Sequence, residues 1–182
     1  LRACAVRYVT APEPMSGLDE SRVWEDAPPR AYAVPQLRAA KDETALTAAL
    51  AAPDWNPRAV AYTLGGRSGS FPGSASLRIV WERDEPDALE WRLGAQAPAF
   101  LIVADMNFPG WSARLDGRPV PIRSVNLLFR GVEIPAGGHR LSMRYTPPGW
   151  WVGAWLTRLS ALAGLVALVL AGRRSPRDSA PA

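Results

Sequence analysis

Alternating apolar and polar positions predict β-strands through the middle of the chain. Leu77, Ile79 and Trp81 occupy every second position, 89–93 alternates in the same way, and 100–104 is a continuous apolar run of strand length. In 139–145 the residues Leu141, Met143 and Tyr145 would share one strand face, with polar residues on the other. Further strands are predicted at 5–10, 31–34, 59–64, 111–115, 120–123 and 128–134.

Two short connections in this region predict hairpins. Asp116-Gly117 joins 111–115 to 120–123, and this dipeptide accepts the positive φ angles of a type I′ turn. Pro135–Gly138 would form a second hairpin between 128–134 and 139–145. Short strands at about ten-residue spacing are typical of an antiparallel sandwich or barrel. We therefore expect a mainly β fold, an antiparallel β-sandwich with jelly-roll-like character.

One short helix and one flexible connection interrupt the strands. Asp42 can cap a helix over 42–51, and Pro53 would end it. The apolar side of this helix comprises Ala45, Leu46, Ala49 and Leu50. The segment Gly65–Ser76 is rich in glycine and serine and predicts a flexible loop.

The C-terminal region predicts a transmembrane helix. Residues 159–172 carry no charge, and extension back to Trp151 gives 22 residues, interrupted only by Thr157 and Arg158. A bilayer core needs about 20 residues of helix. Tryptophan gathers at one end and arginine at the other, which places the C-terminus in the cytoplasm by the positive-inside rule. The expected membrane-interface residues are Trp150, Trp151, Trp155, Arg158, Arg173 and Arg174. The alternative is a buried core helix of a soluble domain.

Charge and cysteine content narrow the classes of function. The 182 residues carry a net charge of +4, and the arginines are scattered among acids rather than clustered on one element, so we expect no nucleic-acid partner. Cys4 is the only cysteine and His139 the only histidine, so we predict neither an internal disulfide nor a metal site. No nucleotide or nucleophile motif is present, and no cofactor is expected.

These patterns divide the chain into five parts. We expect an N-terminal strand and helix portion at 1–64, a flexible loop at 65–76, a β-sandwich block at 77–148, a transmembrane helix at 149–172 and a cytoplasmic basic tail at 173–182. Because the chain begins at Leu1 without a signal peptide, we expect further membrane helices upstream in a longer protein.

The densest motif lies between Phe100 and Pro148: a strand ending in an acid, an aromatic-Pro-Gly-Trp turn, the Asp-Gly hairpin, and a Phe-Arg-Gly strand before a closing strand. The residues concerned are Asp105, Phe108, Pro109, Gly110, Trp111, Ala113, Asp116, Gly117, Pro121, Asn126, Phe129, Arg130, Gly131, Pro135, Gly138, His139 and Tyr145. With weaker matches at 6–9, 30–34 and 53–57, this block resembles the C-terminal extracytoplasmic domain and last membrane helix of YfhO-like bacterial membrane proteins. One departure is Asn107-Phe108, where the family more often has two aromatics.

The resemblance implies a function for the longer protein. YfhO-like proteins are polytopic and are regarded as lipid-sugar-dependent glycosyltransferases that decorate envelope polymers such as lipoteichoic acid. Membrane lipid, upstream helices of the same protein and an envelope glycan or lipid-linked sugar are the implied partners. The catalytic acid of such enzymes lies in an early loop outside this chain, so no residue here receives a catalytic role and whether the chain is an enzyme stays open.

The candidate glycan-binding residues are Asp105, Asn107, Phe108, Trp111 and Arg130. Aromatic rings stack on pyranose faces and a carboxylate accepts sugar hydroxyls; alternatively, Trp111 plugs the sandwich beside a tight turn. Arg130 would bind a lipid phosphate or pair with Asp116 or Glu133, and His139 would titrate or make a hydrogen bond at the strand entry. The predicted function is glycan binding beside the membrane, and the alternative is a non-enzymatic interaction module.

Overall fold

The computed structural model describes residues 28–173, with side chains to residue 171. Contact analysis divides the chain into two compact units, which meet between Tyr145 and Thr146. The first contains twelve strands: β1 (Ala31–Ala33), β2 (Gln36–Ala40), β3 (Val60–Leu64), β4 (Gly69–Ser70), β5 (Arg78–Asp84), β6 (Ala88–Ala95), β7 (Ala99–Met106), β8 (Trp111–Leu115), β9 (Arg118–Val120), β10 (Arg123–Val125), β11 (Phe129–Ile134) and β12 (Gly137–Tyr145). The helices are α1 (Glu43–Ala51) in the first unit and α2 (Trp150–Arg173) in the second, and a 3₁₀ turn covers Pro72–Ser76.

The strands form two sheets, which confirms the predicted sandwich. The seven-stranded sheet has the order β1-β7-β11-β10-β3-β2-β4, and the five-stranded sheet has the order β5-β6-β12-β8-β9. In the sheet order, four strands stand between β1 and β2. Only two residues separate Ala33 of β1 from Gln36 of β2, however, so the two Cα atoms are at most about 11 Å apart. The seven-stranded sheet therefore curls back on itself.

Strand β7 supplies both cores of this unit because its side chains alternate. Leu101 and Val103 face the five-stranded sheet and pack with Trp91, Leu141 and others between the sheets. Its other face, with Phe100 and Ile102, belongs to a second cluster inside the curled sheet. That cluster also contains Tyr32, Val34, Leu37, Ala61, Phe71, Val125 and Phe129. The continuous apolar run at 100–104 therefore marks a strand that is buried on both faces.

Local turn and capping chemistry agrees with the sequence. Asp116 and Gly117 have φ angles of 51° and 78°, as a type I′ turn requires, and they join β8 to β9. Asp42 accepts a hydrogen bond from the backbone N–H of Ala45 at 2.7 Å and caps α1. This helix connects β2 to β3, which pair in parallel, a feature that the expectation of a purely antiparallel fold did not include.

Two expectations about connections differ from the structure. The predicted hairpin at Pro135–Gly138 is wrong: β11 pairs with β7 and β10, whereas β12 pairs with β6 and β8. Because both strands already have two neighbours, the connection crosses from one sheet to the other. The loop expected over 65–76 contains β4 and the 3₁₀ turn, and a Cβ on Gly73 would lie 1.9 Å from the carbonyl oxygen of Ala97. Close packing thus determines part of this segment.

The second unit contains the predicted apolar helix. Residues Trp150–Ala171 have a mean hydropathy of 1.8, and none of this stretch is buried within the described chain. By length and composition, the helix is therefore able to span a membrane. The predicted strand at 5–10 and the tail at 174–182 lie outside the described residues.

Candidate functional site

Four inward-facing positions close one end of the core between the sheets. Strand alternation places Asp105 on the core face of β7, Arg130 on that of β11, Trp111 on that of β8 and Tyr145 on that of β12. We call these four residues the end cluster. Polar and aromatic side chains thus replace the aliphatic core at this end.

A shared carboxylate holds the charged part of the end cluster together. Asp105 accepts hydrogen bonds from Nε of Arg30 at 2.9 Å and from Nη2 of Arg30 at 2.7 Å. It also accepts one from Nη2 of Arg130 at 2.8 Å, and Arg30 additionally pairs with Asp84. The hydrogen bonds to Asp105 raise the pKa of the Arg30 guanidinium. One carboxylate therefore joins three strands of the seven-stranded sheet, since Arg30 immediately precedes β1.

Arg130 is a buried cation with few hydrogen bonds. Its side chain is 2% exposed, and among the described residues its Nε and Nη1 atoms have no hydrogen-bond partner. Burial lowers the pKa of Arg130 to about 10, so the side chain stays charged at neutral pH. The predicted pairings with Asp116 or Glu133 are both wrong, because Glu133 faces the other side of β11 and binds Arg123, and Asp116 lies at the far end of β8.

Trp111 connects the charged residues to the second sheet. The guanidinium carbon of Arg130 lies 3.8 Å from the centre of the Trp111 ring, and the rings of Trp111 and Tyr145 are 5.4 Å apart. The indole also packs against the core between the sheets. These contacts support the interpretation that Trp111 closes the sandwich, and a cation over an aromatic face compensates part of the desolvation of Arg130.

An open groove of about 510 Å³ lies beside the end cluster. Phe108 lines it and is 54% exposed, and Asn107 donates from Nδ2 to Oγ of Ser124 at 2.7 Å. The full lining comprises Asn107, Phe108, Pro109, Gly110, Trp111, Ser112, Ala113, Pro119, Val120, Ile122 and Ser124. The groove thus combines exposed aromatic surface with amide and hydroxyl groups.

The five candidate glycan-binding residues therefore fall into two neighbouring groups. Asn107, Phe108 and Trp111 line the groove, whereas Asp105 and Arg130 neutralise one another behind Trp111 and do not line it. Burial of Arg130 also removes it as a ligand for a lipid phosphate. The alternation of Arg130 with Val132 and Ile134 is the sequence signal that could have placed Arg130 on the inner face of β11.

His139 takes part in a local hydrogen bond at the other end of the sandwich. Its Nδ1 lies 2.7 Å from a carboxylate oxygen of Asp116, and the other oxygen of Asp116 accepts from the backbone N–H of Arg140 at 2.8 Å. The Arg140 hydrogen bond and then the His139 contact hold the pKa of Asp116 below its ordinary value. These contacts support the expected hydrogen bond at the entry to β12.

The aromatic residues expected at the membrane interface lie at the start of α2. Trp150, Trp151 and Trp155 are all exposed, and the guanidinium carbon of Arg158 lies 5.6 Å from the centre of the Trp155 ring. Arg173 is the last residue of α2, and Arg174 lies outside the described residues.

The described residues combine a two-sheet β-domain with a later apolar helix that is long enough to cross a membrane, which is the chain organisation of a membrane protein with a globular portion. Comparison with protein families shows a similarity over part of the chain: residues 107–157 match the family described as "Bacterial membrane protein YfhO". The match begins at the groove residue Asn107 and ends within α2. Comparisons with curated proteins and with solved structures give no match.

Proposed function

We propose that this chain is the C-terminal part of a polytopic glycosyltransferase-like protein and that its β-domain binds or positions a cell-envelope glycan or lipid-linked sugar. The observation that carries the proposal is the groove, which combines exposed Phe108 with amide and hydroxyl groups and whose lining lies within the family-matched segment. The chemical step would belong to membrane helices elsewhere in the longer protein, and the β-domain would be extracytoplasmic.

A short chain segment connects the groove-bearing domain to α2. Trp111 of the groove pairs with Tyr145 at the end of β12, and α2 begins at Trp150. Five residue steps span at most about 18 Å, so the strand end next to the groove stays within that distance of the helix start.

Phe108 provides the sharpest test because it lines the groove and is largely exposed. We expect Phe108→Ala in the full chain, solubilised in detergent micelles, to weaken binding of N-acetylglucosamine or glucose oligosaccharides about tenfold, which corresponds to loss of one aromatic contact. Leu64→Ala, at an equally exposed leucine outside the groove, should leave affinity unchanged. The measurement is a sugar titration followed by the amide NMR signals of Asn107 and Ser112.

The same titration separates glycan binding from the alternative of a protein-interaction module. Unchanged signals at Asn107 and Ser112 with every sugar, or equal effects of the two alanine variants, would contradict glycan binding. Trp111→Ala would not separate the two functions, because removal of that ring also uncovers Arg130 and changes the stability of the domain.

Cysteine labelling tests on which side of the membrane the β-domain and the C-terminal tail lie. In a Cys4→Ala background, a cysteine at Arg118 should react with a membrane-impermeant maleimide in intact spheroplasts, and one at Ser179 should react only after permeabilisation. The Arg118 position is exposed on the β-domain, and Ser179 belongs to the tail that we propose at 173–182, after a span at 149–172. The reverse labelling pattern would place the β-domain, and with it residues 1–148, in the cytoplasm.

A further inference from the structure

Four exposed apolar side chains form a rim beside the groove. They come from two segments that lie side by side, because the backbone N–H of Asn107 donates to the carbonyl of Leu128 at 2.6 Å. The members of this apolar rim are Met106, Phe108, Leu127 and Leu128, which are 44%, 54%, 42% and 49% exposed. None of the four is charged, and such a cluster on a domain surface indicates contact with an apolar partner.

The backbone beneath the rim has an unusual conformation at Asn126 and Leu127. Asn126 and Leu127 have φ angles of 50° and 73°, in the left-handed region that glycine or asparagine adopts more readily than leucine. Asn126 is anchored to β3: its backbone N–H donates to the carbonyl of Tyr62 at 2.7 Å, and its side-chain oxygen accepts from the Tyr62 N–H at 2.9 Å. The turn therefore presents Leu127 and Leu128 as a fixed, apolar tip.

The strand pairing places this rim at the end of the domain from which the chain enters α2. Met106 pairs with Phe129, and the carbonyl of Phe108 accepts from the N–H of Trp111, which in turn pairs with Tyr145. Only residues 146–149 separate Tyr145 from the start of α2 at Trp150. The strand that ends beside Trp111 is therefore joined to α2 by a connection of four residues.

We propose that the part of the apolar rim outside the groove, Met106, Leu127 and Leu128, inserts into the interfacial region of the bilayer. Lipid is the partner that the observations favour, because the rim is apolar and a helix able to span a membrane follows four residues after β12. Phenylalanine and leucine side chains are the groups that enter the boundary between headgroups and acyl chains. This inference goes beyond glycan binding, because Leu127 and Leu128 do not line the groove.

Depth-dependent quenching in proteoliposomes tests the insertion. The full chain with Cys4→Ala and Leu128→Cys is labelled with an NBD fluorophore and reconstituted into vesicles of phosphatidylethanolamine and phosphatidylglycerol. The matched control carries Arg118→Cys, which lies at the other end of the β8–β9 hairpin from the rim. We expect the Leu128 probe to emit at shorter wavelength, to lose fluorescence with lipids brominated near the headgroup and to resist aqueous iodide. The Arg118 probe should show the opposite pattern.

Two results would overturn the proposal. Iodide quenching of the Leu128 probe as strong as that of the Arg118 probe would show that the rim stays in water. Protection from iodide without quenching by brominated lipid would show that protein, either a second copy or another part of the membrane protein, covers the rim instead. Both results leave the sugar titration at Asn107 and Ser112 unaffected, so failure of this proposal and failure of glycan binding are distinguishable.

Discussion

Replacing Asp105 with asparagine removes the carboxylate that Arg30 and Arg130 share, and the consequence follows from the burial of Arg130. The variant leaves a cation that is 2% exposed without an anion, next to a second cation. Loss of one partner from a buried ion pair costs about 3–5 kcal/mol, and the partial exposure of Asp105 places this case near the lower limit, at about 3 kcal/mol.

Arg130→Met should cost far less, although it breaks the same pair. Arg30 still neutralises Asp105 through its two hydrogen-bonding nitrogens, and methionine can pack on the Trp111 ring. The variant also removes two buried nitrogen atoms that have no hydrogen-bond partner among the described residues, which offsets much of the lost cation–π contact. We expect a loss of about 1 kcal/mol or less, and partial recovery when Arg130→Met is added to Asp105→Asn.

Urea unfolding of the full chain in detergent micelles, followed by tryptophan fluorescence, measures these differences. Asp84→Asn is the matched control, because Asp84 binds Arg30 at an exposed position where an ion pair contributes about 0–1 kcal/mol. Equal destabilisation by Asp105→Asn and Arg130→Met would refute the reasoning, because it would mean that the buried guanidinium is not the source of the cost.

Two further predictions concern single turns. Leu127→Gly should be more stable than Leu127→Ala by about 0.5–1 kcal/mol in urea unfolding. The reason is that the strain of a left-handed backbone at alanine exceeds the entropy cost of glycine. The usual order, with the alanine variant more stable, would contradict this prediction. The carboxylate of Asp116 has a lowered pKa, so its contribution to stability is present above about pH 4 and is lost as the pH falls further. Asparagine tolerates the positive φ at this position, so Asp116→Asn should reduce the pH dependence of the free energy of unfolding below about pH 4. If that pH dependence were unchanged, Asp116 would not be its source.

Local chemistry made part of the structure predictable from sequence. The Asp116-Gly117 turn and the Asp42 cap depend on residues within a few positions of each other, and both are present. The alternation of Leu141 and Met143 also identified the buried face of β12 correctly. Each of these predictions needs only the chain direction and the period of a strand or helix.

The end cluster was harder to predict from the sequence, because its contacts join residues that are far apart in the chain. Asp105 and Arg30 are 75 residues apart in sequence, and their contact follows from the pairing of β1 with β7. The two sheets likewise separate β11 from β12, although Pro135–Gly138 has the composition of a hairpin turn. Which neighbour a strand pairs with depends on the whole set of strands, so turn composition alone could not exclude that hairpin.

The ion pairs of the end cluster are in contact with one wall of the groove. Asp105 joins β7 to β11 through Arg130, and Arg130 contacts Trp111, which belongs to the opposite sheet and forms part of the groove wall. The buried charges therefore connect the two sheets at the end where the groove opens. A purely aliphatic contact would close this end as well, but it would specify the position of the Trp111 ring less strictly, because hydrogen bonds and cation–π contacts are directional whereas apolar packing is not. Under the proposed function, Asp105 and Arg130 would therefore contribute to ligand binding by positioning the groove wall from behind rather than by touching the ligand.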